Sequence, residues 1–346
     1  MISTGTDAAL RRLLDDGRAR AEAIDPHHAL LWDALVEATV GGKRFRPALV
    51  ISTHDALGGT SPDAAAEVGA AVELLHTAFV IHDDVIDDDH LRRGRPNISG
   101  TFRARGRALG AQDDGAAYGL TAAILAGDLA LAAAVRAVAL CGAQPDVVRR
   151  LLDLFDSALH TTAAGELADV RLTLDQGPVS LAESLTMEEH KTSAYSFALP
   201  LQAGAVLACA DAATTTRLGD LGRAMGVAFQ LVDDLIGVFG DPDRSGKSAT
   251  CDLRTRKQTP LMVHARSTPQ WDEISGHLGR ELDDDELDEV RELLTASGSR
   301  AFVEELAEQH LALARSGVAE LGIPLDLLEA VTVRQLTVVD GREVAA

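Results

Sequence analysis

His76-Thr-Ala-Phe-Val-Ile-His-Asp-Asp-Val-Ile-Asp-Asp-Asp-His-Leu-Arg-Arg-Gly94 runs from an apolar segment into five aspartates and then into two arginines. Read as an α-helix, it places residues four apart on one face, about one turn or ~5.4 Å from each other. Asp83 and Asp87 then share a face, and His76 lies on that stripe two turns nearer the N-terminus. Two carboxylates at this spacing repel unless a cation sits between them, and hard divalent cations prefer oxygen ligands. Alone, the pattern fits a solvated acidic helix end better than it fits a metal face. Ala78, Phe79, Val80 and Ile81 weigh against the first, because so apolar a lead-in belongs to a buried helix ending in a cleft.

Composition extends the helical reading to the whole chain. Apolar residues make up 46% of the 346 but aromatics only 3%, so the core must be built from Ala, Leu and Val. Ala and Leu favour helix, and small Ala side chains let helices approach closely. The alternating Val-, Ile- and Thr-rich runs that strands need are almost absent. An all-α fold follows. The length allows about two domains, yet no low-complexity linker divides the chain, so one domain over 1–346 is expected.

A formal net charge of −21 argues against a general electrostatic attraction to nucleic acid or anionic membrane. Phosphate ligands remain compatible if metal ions and a local basic cluster reverse the sign in one cleft. Cys141, Cys209 and Cys251 are odd in number and widely spaced, which fits small buried residues in a reducing cytoplasm better than disulfides. Met1 to Leu14 lacks a basic region followed by a long apolar run, so no signal peptide is expected. Leu120 to Leu140 comes nearest to a membrane span, but Asp128 and Arg136 interrupt it.

In chain order, helices are expected over Ala8–Ile24, from about Leu30 to Val40, over Ala48–Leu57, and from Pro62 to about Asp88. Between the second and third, Gly41-Gly-Lys-Arg-Phe-Arg-Pro47 joins two glycines, three cations and a proline ahead of a helix. Free N–H groups and the helix dipole would add to those cations in binding a phosphate, although an exposed turn with solvated Lys43 and Arg46 fits equally. It lacks the Walker A spacing. Asn97 to Gly115 reads as an irregular connection or lid. Helices follow over Ala116–Cys141, Asp146–His160 and Leu185–Leu207, with the acids of Gly165-Glu-Leu-Ala-Asp169 on no clear face. A second apolar helix leads into Asp233 and Asp234, and a polar loop from Asp241 to Gln258 carries Lys247 and Lys257. Asp283-Asp-Asp-Glu286 reads as a solvated helix start.

Two helices with paired aspartates could face each other across one cavity and hold Mg²⁺ ions that bridge to substrate phosphates. With apolar helices behind the metals, the arrangement suits a diphosphate leaving group on a hydrocarbon tail. No Ser-His-Asp or Cys-His set and no Rossmann glycine pattern competes with it.

The succession GGKRFRP, ELLH, HDDVID, LRRG, GELAD, KT and FQLVDD with a following GK resembles the trans-isoprenyl diphosphate synthases, in family order from Gly41 to Lys257. The resemblance implies a bundle of about ten or more helices around a deep central apolar cavity, the isoprenoid synthase fold. It implies a head-to-tail prenyltransferase that condenses isopentenyl diphosphate with dimethylallyl, geranyl or farnesyl diphosphate, using about three Mg²⁺ ions. Asp83, Asp87 and Asp233 match the metal ligands, supported by Asp84 and Asp234. Lys43, Arg46, His76 and Arg93 match the isopentenyl diphosphate site. Arg92, Lys191, Thr192, Gln230, Lys247 and Lys257 match residues facing the allylic diphosphate. A cytoplasmic homodimer is implied as well.

Gly237 departs from the pattern, since the family's second motif usually has a third aspartate there; a metal held mainly by Asp233 would survive this. Asp241, one turn on, is too far to substitute without a bend. In the family, the residues four and five before the first aspartate help form the cavity floor, here Phe79 and Ala78. One aromatic and one small residue imply an intermediate product, geranylgeranyl diphosphate (C20), with farnesyl or longer products as alternatives. A terpene cyclase would not need GGKRFRP and His76, and a non-catalytic subunit of a heteromeric synthase would be expected to lose metal ligands that this chain keeps.

Overall fold

The structure, a computed structural model, describes residues 4–42, 44–174, 177–240 and 251–320. They fall into two compact units, Met1–Phe155 with Gln202–Asp211, and Asp156–Leu201 with Ala212–Ala346. Lys43, Asp241 and Lys247 lie outside the described residues.

The first unit contains α1 (Thr4–Ile24), α2 (Pro26–Ala38), α3 (Phe45–Ala56), α4 (Pro62–Ile86), α5 (Ile98–Ala108), α6 (Ala116–Ala139) and the start of α7 (Pro145–Leu174). Pro26 opens α2 as well as closing α1. It occupies the first turn, where a missing N–H is not needed, and the Asp25 side chain accepts from His27 N at 2.9 Å. The core of this unit is the packing of α4 against α6. Ala122, Ala123, Ala126, Ala130 and Ala134 of α6 are buried, as are Val68, Val72, Leu74, Leu75 and Ala78 of α4. An alanine face on one helix lets the branched side chains of the other seat closely.

Between α4 and α5, β1 (Leu91–Arg92) pairs antiparallel with β2 (Arg95–Pro96). Their turn has positive φ at both Arg93 (54°) and Gly94 (71°), as tight hairpins require. The expected irregular connection over 97–115 is corrected by α5. Asn97 caps it by accepting from Gly100 N at 2.9 Å, and Ile98 and Phe102 anchor it in the core. Its glycines mark close approach: a Cβ on Gly100 would lie 2.3 Å from the His90 carbonyl oxygen.

The second unit holds the rest of α7, α8 (Leu181–Glu188), a π-helical segment (Glu189–Ala198), the start of α9 (Leu199–Leu207) and α10 (Ala212–Phe239). There follow α11 (Cys251–Arg254), α12 (Pro260–Ala265), α13 (Trp271–Gly276), α14 (Asp284–Ala296) and α15 (Ser299–Glu320). Leu231, Val232, Leu235 and Val238 of α10 form its core with Leu253, Leu261, Val290, Leu294 and Val303. α7 passes its expected end at His160 and continues to Leu174. A capping box of Ser180 and Glu183 starts α8 before the expected Leu185. The acidic run is a helix start as read, with Asp283 and Glu286 capping α14 reciprocally.

Cys141 is buried, but Cys209 is exposed, with φ 58°, which corrects its reading as a buried residue. Among the described residues α4 and α6 are long and apolar enough to cross a membrane by length and composition. The most apolar window of α4 is 72% buried within the protein, which is core packing.

Because Ala126 is wholly buried on α6, Ala126→Leu should lower stability by about 1–3 kcal/mol through overpacking. Denaturant unfolding measures it; an unchanged midpoint would contradict the close packing of this face.

Candidate active site

In the first unit the carboxylates stand at the C-terminal end of α4. Asp87 is its C-cap and donates its N–H to the Asp83 carbonyl at 2.9 Å, so the two aspartates lie one turn apart as the spacing predicts. The helix ends two residues before the expected Asp88. Asp84 points elsewhere: it is buried and accepts from Arg92 Nε at 2.8 Å, while the Arg92 guanidinium stays 3.6 Å from Asp83. Burial raises the Asp84 pKa and the bond to Arg92 opposes that rise. Asp84 therefore fixes β1 and its arginine to the end of α4.

His82, just before Asp83, packs on α6. A Cβ on Gly127 would fall 2.1 Å from His82 Nε2, and Asp128 lies 3.5 Å from the same nitrogen. Gly127 is thus the contact that lets α4 present its aspartates beside α6.

Gly41 and Gly42 both have positive φ, 84° and 82°. The Arg93 guanidinium lies over them, 3.1 Å from where a Gly41 Cβ would be. Arg44 turns inward to Glu73 and donates to the Thr39 carbonyl at 2.6 Å, which anchors the loop. Arg46 is buried and stacks on Phe45 at 4.3 Å. His76 lies among these groups. Loss of hydration, then the positive charges of Arg46, Arg92, Arg93 and Arg44, hold its pKa well below the usual histidine range. At neutral pH it is an uncharged hydrogen-bonding group within a cationic cluster. Ala78 is fully buried, and Phe79, half-buried, precedes Asp83 by one turn.

In the second unit, two glycines bring α10 close to the π-helical segment. A Cβ on Gly222 would lie 2.5 Å from the Ala198 Cα, and one on Gly226 2.4 Å from Ser193 Cβ. This contact joins Thr192, Gln230 and Asp234 in a chain. Thr192 Oγ1 donates to Gln230 Oε1, and Gln230 Nε2 to Asp234 Oδ1, each at 2.9 Å. Lys191 donates to Asp169 at 2.7 Å and Glu166 at 3.1 Å, which gives both acids of the GELAD run an inward role. Asp233 is half-buried on the neighbouring face of α10, and Lys257 N–H donates to the Asp252 carbonyl at 3.0 Å.

Glu188 is the residue that sequence reasoning missed. It is buried at the end of α8, and neither of its carboxylate oxygens nor Asp234 Oδ2 meets an N–H donor. The two carboxyl groups lie near enough for the charge of one to bear on the other. Burial, then the charge of Asp234, raises the Glu188 pKa well above its ordinary value; burial raises that of Asp234 to about 7. The sequence signal was slight: Ser184 and Glu188, four apart, share the buried face of α8.

Among the described residues no group of three or more His, Cys, Asp or Glu side chains is arranged to enclose a metal. Mg²⁺ does not require one, since it keeps waters and is held by one or two carboxylates plus substrate phosphates. Asp83 with Asp87 in one unit, and Asp233 in the other, are donors of that kind.

The polyprenyl synthetase family profile matches residues 29–295. A (2E,6E)-farnesyl diphosphate synthase of Mycobacterium tuberculosis is 33% identical over 326 residues, covering 89% of this chain and 84% of that protein. A nonaprenyl diphosphate synthase of the same organism is 32% identical over 320 residues, covering 91% and 86%. The structure of a geranylgeranyl pyrophosphate synthase from Corynebacterium glutamicum, complexed with isoprenyl diphosphate and magnesium, matches with a TM-score of 0.88. It is 26% identical, and the match covers 99% of this chain and 100% of that one. The all-α fold is the isoprenoid synthase fold seen in such structures.

Asp234 keeps its proton to about pH 7 in the folded chain and loses it near 3.8 when unfolded. Between these values the folded state binds more protons, so this contribution to stability is full below 3.8 and lost as pH rises toward 7. Thermal melts across that window without divalent cations should show the decline, and Asp234→Asn should flatten it. A decline equally steep in the variant would contradict the raised Asp234 pKa as its source.

Proposed function

The chain belongs to the polyprenyl synthetase family, and we propose that it is a magnesium-dependent head-to-tail prenyltransferase whose product is geranylgeranyl diphosphate. Its coarser activity is the family's: isopentenyl diphosphate is condensed with an allylic diphosphate. The observation that favours two diphosphates over one is the group of Arg44, Arg46 and Arg93 around neutral His76, present in addition to the aspartates at the end of α4, to which Arg92 links it. A cyclase acting on a single diphosphate has no use for it.

In this reading Lys43, Arg46, His76 and Arg93 hold isopentenyl diphosphate. Arg92, Lys191, Thr192, Gln230, Lys247 and Lys257 face the allylic diphosphate. Asp83 with Asp87 in one unit, and Asp233 in the other, would hold magnesium, which would supply positive charge against the charge that builds as the diphosphate leaves. Lys191, held by Asp169 and Glu166, adds a fixed positive charge toward the departing oxygens. The allylic C–O bond breaks with its electron pair going to the diphosphate, and the isopentenyl double bond attacks the allylic carbon. The released diphosphate takes the proton that restores the double bond. Apolar surroundings built from α4 keep water from the cation.

Relatives of nearly equal identity carry names for different product lengths, so product length rests on local residues. Ala78 leaves room beside α4, while Phe79 stands one turn before Asp83 and limits it. A cytoplasmic homodimer completes the reading, for which Leu120, Ile124 and Leu125 of α6 offer an apolar face that is exposed on the single chain.

Offered dimethylallyl, geranyl and farnesyl diphosphates separately with isopentenyl diphosphate, the enzyme should convert each to the C20 product. Accumulation of farnesyl diphosphate would move the assignment to C15. Phe79→Ala should shift the chromatographic profile to longer chains, and an unchanged profile would remove Phe79 as the floor. Ile124→Glu should convert dimer to monomer in sedimentation; an unaltered dimer would place the interface elsewhere.

A further inference from the structure

Ser184 lies in the middle of α8 and is wholly buried. A hydroxyl inside a helix is ordinarily satisfied by the carbonyl one turn back on the same helix, as Thr186 Oγ1 is by the Ala182 carbonyl at 2.7 Å. Ser184 departs from this pattern. Its Oγ donates at 2.6 Å to the carbonyl of Gln258, 74 positions further along the chain. The bond ties α8 to the short connection between α11 and α12, at the residue after Lys257.

That connection is held in a conformation its residues do not favour. Arg256 has φ 56°, in the left-handed region that suits glycine. Its N–H reaches back to the Leu253 carbonyl at 3.3 Å, and that of Lys257 to the Asp252 carbonyl at 3.0 Å, the pairing that closes a helix on a left-handed residue. A larger residue stays in such a place only when its surroundings over-determine it. Leu253 and Leu261 are wholly buried on either side of the connection. The Arg256 guanidinium lies over Gly279, with its Nε 2.3 Å from where a Cβ there would be, and donates to the Leu278 carbonyl at 3.3 Å. On the other side, one residue beyond Lys257, the Ser184 hydroxyl holds the chain.

α8 runs directly into the π-helical segment, where Lys191 follows Ser184 by seven residues. Lysine carries a compact charge on a flexible stem, so the reach of that charge is set by where its backbone is held. We propose that Ser184 is a positioning residue: its bond to the Gln258 carbonyl fixes Lys257 to the helix that leads to Lys191, so that both cations address the same allylic diphosphate. The inference rests on the reading above that Lys191 and Lys257 face that substrate. A serine that served core packing alone would affect stability without distinguishing one substrate from the other.

Steady-state kinetics on the full chain with magnesium, geranyl diphosphate and isopentenyl diphosphate test this. Ser184→Ala should raise the KM for geranyl diphosphate about fivefold or more and leave that for isopentenyl diphosphate within about twofold. In a Lys257→Ala background, adding Ser184→Ala should change the geranyl diphosphate KM by less than about twofold, because the lysine it positions is gone. Ser184→Cys, similar in size but a weak donor, should behave as Ser184→Ala does, and it decides if Ser184→Ala does not fold. An unaltered geranyl diphosphate KM, an equal rise for both substrates, or a full further rise in the Lys257→Ala background overturns the proposal. If Lys257→Ala raises that KM and Ser184→Ala does not, this inference alone fails. A Lys257→Ala variant with unaltered KM, or an unsubstituted chain that makes no product, overturns the reading on which the inference rests, and the inference with it.

Discussion

Like charges held away from bulk water repel, and each loses hydration that a neighbour of the same sign cannot replace. Each unit of this protein holds one such grouping beside its ion pairs. In the first, Arg46, Arg92, Arg93 and Arg44 surround a histidine that is thereby kept neutral. In the second, Asp233, Asp252 and Asp169 surround an acid pair that keeps a proton where isolated carboxyls would have lost it. Such groupings are stable when a ligand of opposite sign is present: anionic diphosphate for the cations, divalent metal for the acids. The chemistry of a diphosphate leaving group needs both.

The backbone arrangement that makes these groupings possible depends on residues too small to intrude. Gly127 admits His82 and so seats the end of α4 on α6, and Gly222 and Gly226 bring α10 onto the π-helical segment. At Gly237 the missing side chain gives its place to Asp252. An alanine-rich core serves the same end over longer distances, since helices that approach closely fix their terminal side chains with little slack.

Much of this was legible in the sequence. The Ala- and Leu-rich composition gave the all-α class, and the four-residue spacing of Asp83 and Asp87 placed them on one face, as the structure has them. The second acidic helix and the basic loop were visible because charged residues interrupt strongly apolar runs. Less legible was whatever depends on contact between distant segments. α5 was obscured because Gly100 and Gly106, which weaken helix propensity, serve close approach instead. The π-helical segment keeps nearly the same apolar pattern as an α-helix, so periodicity does not reveal it. Little in the sequence sets Glu188 apart from Glu189, and Asp252 falls within the polar loop of residues 241–258; only the fold shows one buried near Asp234 and the other filling the space at Gly237.

The central claim is that two diphosphates react under magnesium control, and diphosphate release from dimethylallyl or geranyl diphosphate, with and without isopentenyl diphosphate, tests it most directly. The account predicts release only when magnesium and both substrates are present, with a lengthened prenyl chain formed in equal amount. Release from the allylic diphosphate alone at the same rate, or no release under any combination, would contradict it.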